Sequence, residues 1–527
     1  MRIVSDYKTN RKSAMILAGV LALAFCLIAH GYRYANDLFS HDALINIYQN
    51  DARWQISLGR ILHPLLVFLR GAWCSPWLIC LLFTVWTSLS VVLVVDLFGV
   101  RRLPVMIGIA GVLVTNSTMV SLHVAYLQDL DFYSLALFLA VLSVWILVKK
   151  DVGRMKWLRY VLACLCMIAS LAIYQAFICV MLMLILGVCM MKLLSSTKPG
   201  DMKANVIFML KAAAVLVISL LIYYAVWKLA QKVFGVWTSD SYNGLNSVGD
   251  YSSASIGGLI VDTYSKVLMY FVHPDLFVSG TLSGRELNVV WLWVLRLANC
   301  GILTFGVGSL IYLNIRRKTG ICSRVVQFVF IVLSPFMANF VNFLSKGMEH
   351  DLMIYAFSLF YVGAFIVTGL ALSDSKRKGI RVLAILFAAV LLWSNVVYAN
   401  QAYFKKSLQD KSAASLLTRM VAQIEQTPGY RFGETPVAFA GSFTLSDYVR
   451  DIPYFEEVVP MGMGITALTY KGTPESYIGN ILNVNMEFTN IDESIQEVRD
   501  MPCYPEDGSV AFIGDVLGVK LSELIGE

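Results

Sequence analysis

Long apolar stretches alternate with short polar ones over the first three-quarters of the chain. Each long stretch approaches the ~20 residues that an α-helix needs to cross a bilayer. They fall at roughly 13–31, 76–98, 103–122, 131–148, 157–173, 176–192, 204–226, 287–313, 325–343, 352–372 and 380–399, about eleven in all. The pattern predicts a polytopic α-helical membrane protein. The apolar run through Tyr174 and Gln175 is too long for one span and is divided at that pair.

Basic residues give the expected orientation, because Lys and Arg in short loops stay cytoplasmic. Clusters at Arg2 to Lys12, Arg101-Arg102, Lys149 to Lys156, Lys192 to Lys203, Arg316 to Arg324 and Lys376 to Arg381 fall on alternate loops. That side is read as cytoplasmic, with the N-terminus on it, and an odd number of spans exports the tail. The outer face then holds loops 32–75, 123–131, 236–286 and 344–351, the Tyr174-Gln175 turn and the tail. Ala14 to His30 is read as an uncleaved first span, since no small-residue cleavage site follows it.

Residues 400–527 break the apolar rhythm and read as an exported α+β domain behind a membrane module of residues 1–399. Helices are expected at Tyr403 to Gln426, Pro474 to Leu482 and Ile491 to Arg499. Strands are expected at Pro436 to Ser442 and Val484 to Phe488, with a terminal hairpin of Ser509 to Ile513 and Gly518 to Leu521. No catalytic constellation stands out in this unit, so a scaffold or acceptor-docking role is expected of it.

One polar stretch does not fit the alternation. Asp37 to Pro64 follows the first span and is too polar to enter a bilayer. At helical spacing, Asp42, Asn46, Gln49, Arg53, Ser57 and Arg60 form one polar stripe beside an apolar stripe of Ile45, Tyr48, Ala52 and Ile56. This predicts a helix lying flat in the interface, its polar side facing a cavity. An unbroken helix at ~1.5 Å per residue would hold Arg60 roughly 27 Å from Asp42. Either the stretch bends, or Arg60 serves a different part of the substrate.

Composition narrows the class. Of 527 residues, 58% are hydrophobic and 15% charged, and the mean hydropathy is +0.68, too apolar for a soluble chain. Residues 400–527 carry 9 Lys/Arg against 18 Asp/Glu, so the overall charge of +7 belongs to the membrane loops. This gives no support to a nucleic-acid partner, and none is expected. Of ten cysteines, Cys26, Cys80, Cys164, Cys166, Cys179, Cys189 and Cys300 lie in apolar runs, and no Cys/His ligand cluster exists.

The outer loops hold the remaining candidates. Gln128, Asp129 and Asp131 stand at the mouth of the fourth span. Asp131 suits a helix N-cap or first turn, while Asp129 ranks second to Asp42 as an active-site acid that orients an acceptor. The Gly/Ser/Asn-rich start of loop 236–286 suits a lid, followed by an interface helix from Ile256 to Phe277 and by Arg285 just before a span. Lys346 and His350, with Glu349 and Asp351, suit either binding of a lipid phosphate or plain snorkelling at helix ends. Ionisable groups inside spans are scarce, and Asp96, within reach of Arg101, reads as structural.

A carboxylate on an exported interface helix, with cations in neighbouring loops, suits group transfer from a phosphate-bearing membrane lipid. The carboxylate would act as general base on an acceptor hydroxyl while Arg and Lys stabilise the departing phosphate. The layout resembles the GT-C glycosyltransferases. Within these, Asp42, Trp54 and Gly59-Arg60, together with Tyr174-Gln175 and the ending from Gly508 to Leu521, are similar to the Gtr-type O-antigen and cell-wall polysaccharide glucosyltransferases. His41 departs from that pattern, in which an acidic pair precedes the Trp.

The resemblance implies inverting transfer of a hexose, most often glucose, from undecaprenyl phosphate to a surface polysaccharide or glycolipid outside a bacterial cytoplasmic membrane. Asp42 would be the base, with Asp37 as the other candidate for that role. Arg53, Arg60 and Lys346 would bind phosphate, and Asp129 the acceptor. Asp37, His41, Gln128, Asp131, Tyr174, Gln175, Arg285 and His350 complete the expected substrate-binding set. A monophosphate leaving group makes a metal less necessary, and neither metal nor other cofactor is expected. A lipid-linked saccharide flippase or exporter, a polysaccharide polymerase or ligase, and a non-catalytic assembly protein remain the competing readings.

Overall fold

The computed structural model describes residues 10–48, 51–149, 157–196, 199–238, 255–273, 289–372, 378–450 and 468–524. Among these, nine helices are long and apolar enough to cross a membrane. They lie at Arg11–Tyr34, Pro76–Leu97, Leu103–Ala125, Leu127–Val148, Gln175–Leu194, Gly200–Phe234, Trp293–Arg316, Ile321–Ala338 and Lys378–Gln426. Two shorter apolar helices, Leu158–Ile173 and Tyr355–Ala371, occupy two further expected span positions. The protein is a helical membrane protein.

Its elements run α1 (Arg11–Tyr34), α2 (His41–Ile45), α3 (Ala52–Ser57), α4 (His63–Arg70), α5 (Pro76–Leu97), α6 (Leu103–Thr115) and α7 (Ser117–Ala125). A 3-10 turn at Leu127–Asp129 leads into α8 (Leu130–Val148), then α9 (Leu158–Ile173). A second 3-10 turn, Gln175–Phe177, separates α9 from α10 (Ile178–Leu194), so the long apolar run does break at Tyr174-Gln175. There follow α11 (Pro199–Phe234), α12 (Ile256–Val272), α13 (Val289–Arg316), α14 (Ile321–Ala338), α15 (Phe340–Leu344), α16 (Ser358–Ala371) and α17 (Lys378–Gln426). Helix α5 packs between α1 and α8, α8 packs on α9, and α9 on α11, while α3 contacts α4 and α11.

The interface stretch is not one helix. Asp51 caps a new helix, its carboxylate accepting the Arg53 and Trp54 amides at 2.9 and 3.1 Å, the usual role of Asp at an N-cap. Gly59, at φ +82°, ends that helix in a left-handed turn, and Pro64 in the first turn of α4 starts the next. Three short helices therefore replace the single expected one, and the chain folds back on itself.

Helix α17 is continuous through residue 400, where a boundary between membrane module and tail was expected. Neither Gly nor Pro occurs from Ile380 to Gln426, so nothing interrupts the helix until Pro428-Gly429. Beyond it, β1 (Pro436–Ala440), β2 (Glu487–Phe488), β3 (Val510–Ile513) and β4 (Val516–Lys520) form one mixed sheet in the order β2-β1-β4-β3. Val437 pairs in parallel with Leu517, and β3 and β4 form the expected hairpin. Helices α18 (Thr473–Asn480) and α19 (Gln496–Asp500) accompany the sheet, α19 being shorter than the sequence pattern suggests. The buried Lys520 ammonium is satisfied by the Arg499 and Met501 carbonyls, both at 2.8 Å, and by Glu523 at 2.9 Å.

Buried ionisable groups inside the membrane helices are more numerous than expected. His30 and His123 stack at 4.1 Å in the bundle, and His30 Nδ1 lies 2.6 Å from the Tyr403 hydroxyl. Asp96 has the structural role assigned to it, but its main partner is Arg11, at 2.7 and 2.5 Å, with Arg101 farther off at 3.8 Å.

Candidate active site

Asp42 occupies the first turn of α2, whose start is pinned by Ser40. The Ser40 hydroxyl donates to the Ala125 carbonyl at 2.6 Å, and the buried Arg33 donates to the Asn36, Leu38 and His123 carbonyls at 2.6, 2.8 and 3.1 Å. The turn before α2 is thereby fixed to α1 and α7. His41 Nε2 lies 3.2 Å from Asp42 Oδ1, and the Asp42 side chain keeps 37% of its surface exposed. Burial of the rest raises its carboxyl above the ordinary value; His41 opposes that shift, Asp129 adds to it, and Arg60 opposes it. Asp42 and Arg60 therefore share one electrostatic neighbourhood, which the breaks at Asp51 and Gly59 bring about.

Beneath this lies an enclosed acid. Asp129 is 3% exposed; its Oδ1 accepts from His63 Nε2 at 2.5 Å and its Oδ2 from the Tyr133 hydroxyl at 3.4 Å. With both oxygens engaged inside the protein, Asp129 supports the site rather than lying open to an acceptor. Asp131 behaves as the first-turn acid of α8, in a buried ion pair with Arg70 at 2.7 Å. Arg70 also donates to the Gln128 carbonyl at 2.8 Å, while the buried Gln128 Oε1 and His63 Nδ1 have no hydrogen-bond partner among the described residues. His63, Arg70 and Tyr133 were not selected from the sequence.

Arg60 is 7% exposed and receives support from three sides. Gln55 Oε1 accepts from its Nη1 at 3.3 Å, and its guanidinium carbon stands 5.7 Å from the ring centres of both Tyr133 and Tyr174. The turn carrying it is clamped from α9 to α11. Gln175 Nε2 donates to the Leu58 carbonyl at 2.6 Å, the Tyr223 hydroxyl to the Gly59 carbonyl at 3.0 Å, and Trp227 Nε1 to the Ile56 carbonyl at 2.8 Å. A Cβ at Gly59 would stand 2.4 Å from both Gln175 Nε2 and the Tyr223 oxygen, so any side chain there would displace the clamp as well as strain the turn.

Arg60 also lines a cavity of about 470 Å³ where the end of α9, the start of α10 and the later part of α11 meet. Tyr174, Tyr223, Trp227, Leu220 and Leu344 supply much of an otherwise apolar wall, and Lys228 adds a second cation. A single guanidinium at the end of an apolar groove can hold an anionic head whose tail is hydrocarbon.

The other expected residues scatter. Arg53 leaves the supposed stripe, its guanidinium donating to the Gly235 carbonyl at 3.1 Å, because α3 starts afresh at Asp51. Asp37 is exposed in the turn before α2. Gln49 and Arg285, and most of the glycine-rich segment read as a lid, lie outside the described residues. Lys346, at φ +53°, follows Ser345, which lines the groove.

His350 is half-buried, and burial lowers its titration point. Next to it, Lys266 of α12 ties the loop down, donating to Asn342 Oδ1 at 2.8 Å and the Gly347 carbonyl at 2.9 Å, with Glu349 at 3.4 Å. Burial pushes the Glu349 carboxyl up to about 7 against the pull of Lys266. Among the described residues, no group of three or more His, Cys, Asp or Glu could hold a metal ion.

No curated protein and no solved structure matches the chain. Residues 31–368, from the end of α1 into α16 and well over half of the chain, match the family described as glucosyl transferase GtrII. That match sets the exporter and assembly readings aside and includes Asp42, Arg60, Asp129 and His63. The chain belongs to the GtrII family of glucosyl transferases.

Proposed function

We propose that this glycosyltransferase moves glucose from a polyprenyl-phosphate donor to a hydroxyl of a surface polysaccharide or glycolipid on the extracytoplasmic side of the bacterial inner membrane, with inversion. The observation that carries the reading is the pairing of a partly exposed, raised-pKa carboxylate with a guanidinium that ends an apolar groove. Asp42 takes the proton from the acceptor hydroxyl, and that oxygen attacks the anomeric carbon. The bond from that carbon to the phosphate oxygen breaks, and its electron pair leaves with the lipid phosphate.

Arg60 offsets the charge that grows on this phosphate, and its rigid support means that little reorganisation is needed as the charge develops. Asp42 remains open enough to return its proton to water. A raised pKa makes Asp42 a stronger base than an ordinary carboxylate. The isoprenoid lies in the groove between α9, α10 and α11.

The test is transfer of labelled glucose by the full-length protein in lipid nanodiscs, with polyprenyl-phosphate glucose and UDP-glucose compared as donors. Transfer from the lipid donor alone supports the reading, and transfer from the nucleotide sugar alone refutes it.

A further inference from the structure

The groove that takes the donor contains no residue of the tail, since everything lining it lies between Leu58 and Met353. Yet the tail touches the Asp42 helix directly. The Tyr470 ring stacks on the His41 imidazole, centroids 5.0 Å apart and planes 17° from parallel. Asn480 Nδ2 donates to the Leu44 carbonyl at 3.0 Å, binding α18 to α2. The Tyr477 hydroxyl donates to the Asp410 carbonyl at 3.3 Å, which holds α18 to α17 as well. Tyr470 therefore reaches the carboxylate through one intermediary, His41, while 51% of its own surface stays exposed.

Two facts give this contact a direction. Asp42 has one charged neighbour in Arg60, which lines the groove, and another in His41, which carries the Tyr470 ring. In addition, the family match ends at residue 368, so Tyr470 and Asn480, which meet the Asp42 helix from the tail, lie outside the matched residues. Exposed aromatic rings with a polar tip suit the flat apolar face of a sugar ring, since they offer contact area at low cost in conformational entropy.

We infer that the tail forms the acceptor side of the site, with Tyr470 a specificity-determining platform for the acceptor sugar. The inference rests on the proposed transfer reaction. Chemistry and donor binding then belong to the family region, and the choice of acceptor belongs to the segment that follows it.

The experiment separates the two halves of the reaction in the full-length protein. Donor turnover without acceptor is followed as slow release of polyprenyl phosphate, with water as the acceptor. Transfer is followed with repeating-unit oligosaccharide prepared from the surface polysaccharide of the source cell. Tyr470→Ala is expected to raise the acceptor KM tenfold or more while slowing donor hydrolysis less than threefold, and Tyr470→Phe and Tyr470→Trp are expected to restore the KM to within threefold.

Hydrolysis at the wild-type rate with an unchanged acceptor KM in Tyr470→Ala overturns this inference and leaves the reaction intact. Equal loss of hydrolysis and transfer that Tyr470→Phe does not rescue marks a merely structural contact and overturns it too. Absence of both activities in the wild-type protein refutes the reaction itself, and the inference with it.

Discussion

His63 Nε2 and Asp129 Oδ1 lie 2.5 Å apart with both side chains almost fully enclosed, so this acid can act on Asp42 only through space. Breaking such a pair leaves one polar group buried without its partner, which costs about 3–5 kcal/mol when the remaining group stays charged. His63→Ala is expected to lower the thermal midpoint sharply in a detergent melt. Adding Asp129→Asn removes the stranded charge and is expected to recover much of the loss. A double variant no more stable than His63→Ala would contradict the pairing.

The Gly59 turn gives a steric prediction. Gly59→Ala places a Cβ where Gln175 and Tyr223 already stand and forces a non-glycine residue to φ +82°. Strain of this kind costs on the order of 1–3 kcal/mol, and relief moves either the Arg60 turn or the Gln175 and Tyr223 side chains that clamp it. The variant should lose most transfer activity. Tyr223→Phe, which removes a single hydrogen bond worth about 1 kcal/mol, should keep a substantial part of it.

The α3 cap offers a milder perturbation of the same geometry. Asp51→Ala removes the acceptor for the Arg53 and Trp54 amides at a cost of about 1 kcal/mol. Because α3 leads directly into the Arg60 turn, the donor KM should rise more than the acceptor KM. Asp51→Ser should restore it.

The pH dependence of transfer follows from the neighbours of Asp42. Its carboxyl is raised by burial and by Asp129 and lowered by His41 and Arg60, so the rate should climb with pH through a limb above the ordinary carboxylate range. Removing the anion in Asp129→Asn should move the limb to lower pH, and removing the cation in Arg60→Gln should move it higher. Stability runs the opposite way. The unfolded chain loses this proton first, so the contribution of Asp42 to stability falls as pH rises from the ordinary value to the raised one. Rate profiles of the two variants check the signs.

Glu349 makes the same argument in a second place. Its carboxyl ionises at about 7 in the folded protein and near ~4.3 in an unfolded chain. Its contribution is fully present below the unfolded value and is lost as pH rises to about 7. Glu349→Gln should flatten the dependence of the thermal midpoint on pH over that window, and an unchanged slope would count against the assignment.

Much of this architecture is legible in the sequence because the bilayer imposes a simple rule. An apolar run of span length becomes a helix, and even the division at Tyr174-Gln175 follows from run length. The hairpin of β3 and β4 is legible for a similar reason, since period-two apolar positions flank Gly514-Asp515. The site is less so. Periodicity places Asp42 and Arg60 on one stripe but cannot show that Asp51 restarts the helix, although Asp followed by a helix-forming run is an N-cap signal. His63 is one of only six histidines and directly precedes a helix-starting Pro, yet its partner lies 66 positions away and no local pattern links them. The stacking of Tyr470 on His41 is a long-range packing contact of the same kind.

The role of Asp42 as base is tested by the rate of glucose transfer from polyprenyl-phosphate glucose by Asp42→Asn beside wild type, at equal folded protein. General-base catalysis is worth about 10²- to 10⁴-fold, and the Asn variant keeps the size and hydrogen bonding of the side chain. A loss of that order with donor binding retained is expected if Asp42 is the base. Transfer within a few-fold of wild type in a folded Asp42→Asn protein would contradict it.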